Sequence, residues 1–308
     1  MIGIEAIGTY LPARRIDNLE RAAGFDCDEE FVENKLGVLE ISQAAEDEDA
    51  FSLAANAVED LRARTGLEMD EIEVLVLVTQ TPGKLIPHVS ARLHGEIGLT
   101  DRCACFDISL GCSGYVYALT VVKALMEAQG FRRGLIVTSD PYSKIVDAGD
   151  RNTAMLFGDA ATATLLSDRP VFEIGRTTMK TRGASHRELM STDSGNLHMN
   201  GRAVFTFCAQ NVPPDIREAA ELNGVTVEDI DLFLVHQGSK FIVDTIRNRL
   251  GLSEEKMPFG AVAYGNTVSS SIPLLLAERV ASPESRRIMI SGFGVGLSWA
   301  SSLLTRVA

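Results

Sequence analysis

The 308-residue sequence has few cysteines, and it contains none of the cysteine patterns typical of metal sites or redox pairs. Its five cysteines include no CxxC or CxxCH motif and no cysteine and histidine spacing usual for zinc. Cys103 and Cys105 alternate on a predicted buried strand, and we interpret both as small core residues. The sequence therefore predicts no metal site, and its odd number of cysteines fits a reducing, cytoplasmic location.

Long apolar runs and clusters of basic residues are also missing. The apolar run VLVLV at 74–78 is far too short to span a bilayer, and the N-terminal MIGIEAIGTYLP lacks the charged and apolar regions of a signal peptide. The net charge is -13, and no basic run is present that would contact phosphates. We therefore expect neither a membrane nor a nucleic acid as a partner.

The composition favours a large α/β core. Apolar residues make up 45% of the sequence, which is enough for one large domain or for two fused halves. Near-continuous apolar strands alternate with helical patterns, which predicts parallel sheets covered on both faces. Because no linker rich in glycine, serine and proline interrupts the chain, we expect any two halves to share a core.

Segments of the first half recur in the second half. Residues 67–81 (LEMDEIEVLVLVTQT) and 225–239 (VTVEDIDLFLVHQGS) each combine an acidic start with an apolar strand that ends in polar residues. Residues 132–140 (RRGLIVTSD) resemble 286–294 (RRIMISGFG). The repeat predicts two stacked α/β halves. We place them at residues 1–168 and 169–308.

Cys112 lies between two glycines at a predicted strand-to-helix turn. The segment DISLGCSGYVY follows a short apolar strand and leads into the helical pattern YALTVVKALMEAQG. A thiol beside a helix N-terminus lies near the positive end of the helix dipole, which lowers its pKa and favours the thiolate. Gly111 and Gly114 allow a sharp turn and the close approach of a substrate. We therefore expect the chemistry at Cys112.

Two polar residues and a glycine run follow predicted strands in the second half. His236 ends LFLV; a lone histidine there is more often structural, but its place parallels the polar strand ends of the first half. Asn266 is either a helix N-cap or an amide that binds a carbonyl oxygen. The run GFGVG at 292–296 lacks the strand–GxGxxG–helix context of a dinucleotide site. Ligands bind outside the carboxyl ends of strands, which is where these groups and Cys112 are predicted to lie.

Five motifs occur in an order that resembles the thiolase-like condensing enzymes, in particular β-ketoacyl-acyl carrier protein synthase III. They are GCSGYVYAL, RNTAMLFGDAATATLL, LVHQG, YGNTVSSSIPLLL and GFGVGLSWASSLL. The resemblance covers nearly the full length of the chain. It implies a five-layer αβαβα fold, a homodimer with residues 85–87 near the subunit contact, and a catalytic triad of Cys112, His236 and Asn266.

The resemblance also implies decarboxylative Claisen condensation without a permanently bound cofactor. The Cys112 thiolate attacks an acyl thioester such as acyl-coenzyme A and retains the acyl group. His236 and Asn266 then donate hydrogen bonds to the carbonyl of a malonyl thioester, carried by acyl carrier protein or by coenzyme A, and stabilise the enolate formed as carbon dioxide leaves. The implied oxyanion site and active-site loop comprise the backbone N–H of Cys112 and residues Phe293, Gly294 and Val295.

The predicted thioester entrance departs from the family pattern. Phe31 replaces an expected tryptophan that stacks on the adenine, and Lys35 replaces an arginine. Arg151 matches another cofactor-contacting arginine of the family. Arg202 stands where an asparagine is more usual. We expect all four residues to bind substrate.

Docking of an acidic carrier protein requires basic residues near the entrance. The predicted helix after His236 carries Lys240, Arg247 and Arg249. Phe241 stands where the family often has arginine. These three basic residues are therefore either a carrier-docking patch or a solvated helix face.

The motifs exclude two related activities and leave two alternatives. A degradative thiolase needs a second cysteine in the glycine loop, and GFGVG has none. A hydroxymethylglutaryl-coenzyme A synthase needs a glutamate before the nucleophile, and VTQTPGKL has no carboxylate. One alternative is a specialised acyltransferase of secondary metabolism with an unusual acceptor. The other is a non-catalytic subunit of a condensing heterodimer, against which the complete Cys-His-Asn set argues.

Overall fold

Strands and helices alternate along the whole chain in the computed structural model, which describes residues 1–307. The strands are β1 (Gly3–Tyr10), β2 (Arg14–Asp17), β3 (Glu40–Gln43), β4 (Val74–Val78), β5 (Ala104–Ile108), β6 (Arg133–Ser139), β7 (Ala161–Ser167), β8 (Phe172–Thr181), β9 (Leu189–Ser191), β10 (Leu197–Met199), β11 (Leu232–Val235), β12 (Arg287–Gly294) and β13 (Ser298–Arg306). The α-helices are α1 (Asn18–Ala22), α2 (Ala50–Thr65), α3 (Val89–Glu96), α4 (Gly114–Gln129), α5 (Arg151–Ala154), α6 (Gly201–Leu222), α7 (Lys240–Leu250) and α8 (Ser271–Ala281).

Local sequence signals account for the ends of the long helices. A reciprocal capping box starts α2: the Ser52 N–H donates to Asp49 Oδ1 (2.9 Å), and the Asp49 N–H donates to Ser52 Oγ (2.8 Å). Gly130 ends α4 with a φ of 72°, in the left-handed region that glycine adopts without strain. The helix predicted after Cys112 therefore has the bounds that its sequence indicates.

The principal sheet contains the two copies of the predicted repeat. Its strand order is β11-β12-β13-β8-β1-β7-β6-β4-β5. In one half, β4 runs parallel to β6, and β7 and β1 follow antiparallel. In the other half, β11 runs parallel to β12, and β13 and β8 follow antiparallel. The copies meet where Gly3 pairs with Glu173 and Ile4 with Phe172.

This topology confirms the duplication but corrects the predicted strand directions. The strands β5, β4 and β6 are parallel, as are β11 and β12, whereas β1, β7, β8 and β13 are antiparallel to their neighbours. A continuous apolar run indicates that a strand is buried on both faces. An antiparallel strand in the middle of a layered protein has the same pattern, so the run does not indicate strand direction. The predicted boundary at residue 168 falls between β7 and β8, and it remains a prediction.

The helices form three layers around the two halves of the sheet. Helices α2 and α3 pack on the first half, and α6 packs on the second with α7 against it. Helices α4 and α8 lie between the halves and contact strands of both. This arrangement, an α-β-α-β-α stack, confirms the predicted fold class. None of the helices in residues 1–307 combines the length and apolar character needed to cross a bilayer.

Candidate active site

Cys112, His236 and Asn266 line one cavity of about 260 Å³. Cys112 follows β5 of the first half, and His236 follows β11 of the second half, whose counterpart in the first half is β4. All three side chains are almost fully buried, with exposed fractions of 3–4%. The remaining lining is mainly apolar and includes Phe157, Leu189, Val204, Cys208 and Phe293. The strand-end placement expected from the sequence therefore holds.

The glycine run is needed because its backbone packs directly against Cys112. A Cβ atom at Gly294 would lie 2.7 Å from both Cβ and Sγ of Cys112, and one at Gly292 would lie 2.6 Å from the Cys112 carbonyl oxygen. Beside the thiol, Ser113 Oγ and Ser298 Oγ are hydrogen-bonded at 2.6 Å, which joins the nucleophile turn to β13. The loop is thus fixed against the thiol, and any side chain at Gly294 would displace the sulfur.

Burial raises the pKa of the Cys112 thiol to about 12. The negative charge of Asp140 raises it further, while backbone N–H groups of Val295 and of Cys112 itself lower it. The low thiol pKa expected from the helix N-terminus is therefore not found in the free protein, because burial and Asp140 raise the pKa more than the nearby backbone N–H groups lower it. Cys112 must lose its proton to a partner as it reacts.

His236 is neutral in this environment, because burial lowers its pKa to about 3. Its backbone N–H donates to Ser291 O on β12 (2.8 Å), and its ring meets Phe293 edge-on with centroids 5.4 Å apart. The His236 Nδ1 lies 2.8 Å from Ser271 Oγ, and that hydroxyl lies 3.1 Å from Val268 O. A hydroxyl carries one proton, so it either donates to Val268 and accepts from Nδ1–H, or donates to Nδ1.

Asn266 is held in a strained turn. Its Oδ1 accepts from the Val268 N–H (3.0 Å), and Val268 has a φ of 54°, which is rare for a β-branched residue. The Asn266 backbone N–H donates to Leu156 O (2.9 Å). Because Oδ1 is occupied, the Nδ2 amino group is the part of the side chain available to a ligand.

The mouth of the cavity contains Phe31, Lys35 and Arg151. Phe31 and Lys35 lie on a π-helical turn, Phe31–Leu36, and the Arg151 guanidinium lies 5.5 Å from the centre of the Phe31 ring. On the same rim, the rings of Phe205 and Phe241 stack with centroids 4.8 Å apart. The mouth therefore pairs aromatic faces with positive charge, which suits a nucleotide or an anionic carrier.

The structure does not bring Arg202 into this cavity. Arg202 is exposed and lines a separate surface pocket with Arg182, Glu188 and Gln210, although its neighbour Gly201 touches the cavity. One residue along a helix turns the side chain by about 100°. The expected substrate contact of Arg202 is therefore not supported.

The basic residues of α7 are differently placed. Asp244 pairs with both Lys240 (2.7 Å) and Arg247 (2.8 Å), and Arg247 also donates to Met257 O (3.2 Å). The Arg247 side chain is only 11% exposed, whereas Arg249 is exposed. Ion pairing therefore accounts for Lys240 and Arg247, which reduces the positive charge that this helix offers to a partner.

Several site residues were not predicted individually. Ser271 is one of three consecutive serines, and the sequence does not distinguish it from its neighbours. Gln80 is one of the polar residues that end a predicted strand, and the sequence gives it no separate role. The buried Asp140 accepts from the Gln80 N–H (2.7 Å), the Thr79 hydroxyl (3.3 Å) and the Ser269 hydroxyl, and burial raises its pKa to about 6. Asp140 therefore ties the end of β4 to the turn that carries Asn266.

Comparison with known families assigns both halves of the chain. Residues 106–183 match the family model of 3-oxoacyl-[acyl-carrier-protein] synthase III, and residues 220–306 match the model of its C-terminal part. The chain is 31% identical over 320 residues to β-ketoacyl-[acyl-carrier-protein] synthase III of Streptococcus gordonii, with 98% of each chain covered.

Solved structures give the same assignment. The synthase III of Thermus thermophilus superposes with a TM-score of 0.92 at 34% identity and covers 99% of each chain. The priming β-ketosynthase of the R1128 polyketide pathway superposes with a TM-score of 0.90 at 30% identity, covering 99% of this chain and 96% of that chain. The likeness extends over the whole fold, and the protein therefore belongs to the 3-oxoacyl-acyl carrier protein synthase III family of condensing enzymes, which are acyltransferases.

Proposed function

We propose that this condensing enzyme joins an acyl group held on Cys112 to a malonyl thioester, with His236 and Asn266 as its catalytic partners. The observation that carries the proposal is the shared cavity, in which a buried thiol, a neutral imidazole and an oriented amide face one space. The acyl donor is acyl-coenzyme A, and the malonyl donor is malonyl-acyl carrier protein or malonyl-coenzyme A.

Acylation begins with proton transfer from Cys112. When the Ser271 hydroxyl donates to Val268 O, His236 carries its proton on Nδ1, so Nε2 has a free lone pair that accepts the thiol proton. The thiolate attacks the thioester carbonyl, and the backbone N–H groups of Cys112 and Val295 stabilise the oxyanion. The leaving thiolate then takes the proton from His236.

Condensation needs His236 in its other tautomer. When the Ser271 hydroxyl rotates to donate to Nδ1, the His236 proton lies on Nε2, which donates to the malonyl carbonyl together with Asn266 Nδ2. Both donors stabilise the enolate that forms as carbon dioxide leaves, and the enolate carbon attacks the acyl-cysteine. The Cys112 thiolate departs as the new carbon–carbon bond forms.

The mouth residues bind the carrier of each substrate. Phe31 and Arg151 offer a ring face and a guanidinium to an adenine or a phosphate, and the exposed Lys35 adds a second positive charge. The exposed Arg249 is the basic residue of α7 left to contact an acidic carrier protein, since Asp244 neutralises Lys240 and Arg247.

A homodimer is proposed from the edge of the sheet. Strand β5 is a terminal strand, and its residues 105–108 are only half-buried, whereas β11 at the opposite edge is fully buried. Leu85 and Ile86 are 87% and 89% exposed. An open strand edge beside exposed apolar residues is typical of a subunit contact.

A role in secondary metabolism is the second candidate. The relative from the R1128 pathway is a priming β-ketosynthase, so this fold serves polyketide priming as well. The stacked rings of half-buried Phe205 and exposed Phe241 at the mouth favour an acceptor that binds with little positive charge. The two candidates share the chemistry and differ in the malonyl carrier.

Incubation with acyl-coenzyme A and carbon-14-labelled malonyl-acyl carrier protein tests the proposal. We expect labelled 3-oxoacyl product and release of carbon dioxide from the wild type, and no product from Cys112→Ala. A 3-oxoacyl product made at the wild-type rate by Cys112→Ala would contradict the proposal. Product formed only with a malonyl carrier other than acyl carrier protein or coenzyme A would favour the second candidate.

A further inference from the structure

A second cavity of about 250 Å³ lies on the other side of the nucleophile turn. It is lined by Gln80, Ser109, Tyr142, Ile145, Met190, Ser191, Leu197 and Val295. Val295 places the cavity beside the thiol, because its backbone N–H is hydrogen-bonded to Cys112. Gln80 also lies beside the nucleophile turn. Its Oε1 is 2.4 Å from the position that a Cβ atom at Gly111 would occupy, so the Gln80 amide contacts the residue before Cys112. The second cavity therefore borders the residue that would carry the acyl group.

A polar pair lines the second cavity on the side that faces the catalytic cavity. The Tyr142 hydroxyl donates to Gln80 Oε1 at 2.9 Å, and the Tyr142 ring packs against Phe157 of the catalytic cavity with centroids 5.1 Å apart. Tyr142 is 2% exposed. Its position is therefore fixed, and it holds the Gln80 amide in one orientation.

The Gln80 side-chain amide has N–H donors without a partner, while its carbonyl oxygen is already hydrogen-bonded. Its Oε1 is occupied by Tyr142, and its Nε2 makes no hydrogen bond to any of the residues 1–307. An apolar chain end packed against this amide would strip its N–H groups of water and leave them unpaired. An oxygen atom on the chain would pair with them.

The charge around the cavity favours a neutral oxygen. None of its lining residues within 1–307 is basic. Asp140 lies directly behind and accepts from the Gln80 backbone N–H, and its negative charge adds to burial in raising the pKa of Tyr142. A carboxylate on the acyl chain would meet this negative charge without a cation to offset it.

We propose that Gln80, oriented by Tyr142, selects short acyl primers that carry a neutral hydroxyl or oxo oxygen over unsubstituted primers of the same length. The inference rests on the proposed acyl-Cys112 intermediate. Gln80 and Tyr142 act here as specificity-determining residues, and the bond-making groups remain those of the catalytic cavity.

Single-turnover acylation of the full-length protein tests the selection. The donors are butyryl-, 3-hydroxybutyryl-, 4-hydroxybutyryl- and succinyl-coenzyme A, which share a four-carbon chain, and intact mass gives the rate for each. For the wild type we expect the better hydroxyacyl donor to exceed butyryl by about 5- to 150-fold, the ratio for one N–H donor that the bound chain covers and leaves unpaired. We expect succinyl to be slower than butyryl.

Variants connect the preference to the polar pair. Gln80→Leu, of similar volume, should bring the hydroxyacyl-to-butyryl ratio close to one. Tyr142→Phe should reduce it by about 2- to 10-fold, because it removes one hydrogen bond that orients the amide. Gln210→Leu, the same change at an exposed position of α6, should keep the wild-type ratio. Thermal melting verifies that each variant folds. If Gln80→Leu does not fold, the ratio measured for Tyr142→Phe alone tests the inference.

Equal rates for butyryl and the hydroxyacyl donors, or a wild-type ratio retained in both variants, would overturn the inference and leave the proposed function intact. Succinyl as the fastest donor would overturn the neutral-oxygen selection. Absence of any mass increase with every donor would overturn the acyl-Cys112 intermediate and, with it, this inference.

Discussion

Removal of the Ser271 hydroxyl is the most informative single change, because this group is the observed partner of His236 Nδ1. The hydroxyl lies 2.8 Å from Nδ1 and is fully buried. Ser271→Ala removes this hydroxyl, so Nδ1 loses its closest partner. An unsatisfied buried group costs about 1–3 kcal/mol, which corresponds to about a 5- to 150-fold change in rate.

The expected loss falls on the chemical steps. Because Ser271 touches the histidine and not the mouth of the cavity, kcat should fall by about 5- to 150-fold, and KM for the acyl donor should change less than about twofold. Acylation and condensation, followed separately by single-turnover mass spectrometry and product formation, should both slow. Nitrogen-15 NMR of labelled histidine should show a changed tautomer distribution at His236.

Ser270→Ala is the matched control. Ser270 is also fully buried, and its hydroxyl pairs with Thr138 Oγ1 at 2.8 Å and not with the histidine. It should lose comparable thermal stability and keep kcat. If Ser271→Ala keeps kcat within about twofold of Ser270→Ala, the tautomer argument is refuted.

Two further predictions follow from burial and close packing. His236, whose pKa burial lowers to about 3, should stay neutral in NMR titrations from pH 8 to pH 5, and protonation of the native histidine near pH 6 would contradict this. Because this pKa lies below the ordinary histidine value of 6.5, the free energy of unfolding should fall as the pH drops below about 6.5. Gly294→Ala places a Cβ 2.7 Å from the Cys112 sulfur and should abolish acylation. Gly183 has open space around it, so Gly183→Ala should be acylated normally. Equal acylation of the two variants would refute the packing argument.

The sequence predicted those parts of the site that depend on local order along the chain. Cys112, His236 and the glycine run each follow an apolar strand, so their meeting at strand ends could be anticipated. The i,i+4 spacing of Lys240 and Asp244 was also readable, and it would have indicated an ion pair in place of a free docking cation.

Features that depend on burial could not be predicted in the same way. The helix dipole at Cys112 is visible in the sequence, but the desolvation that reverses its effect on the thiol pKa requires the complete cavity. The Gln80–Tyr142 hydrogen bond joins residues 62 positions apart, and no local pattern reports it. Arg202 was expected at the site from its place in a family motif, and a motif position does not report whether the side chain faces the cavity or the neighbouring surface pocket.

The most direct test of the central claim is the position of the acyl group. Cys112 and Cys208 line the same cavity, and both thiols have raised pKa values, so a mass increase of the intact protein alone does not identify the nucleophile. Rapid acid quench after exposure to acyl-coenzyme A, followed by peptide mapping, distinguishes them. We predict that the acyl group lies on the peptide containing Cys112 and is absent from Cys112→Ala. An acyl group on Cys208 would contradict the account, and so would a Cys112 that stays unmodified after exposure to the acyl donor.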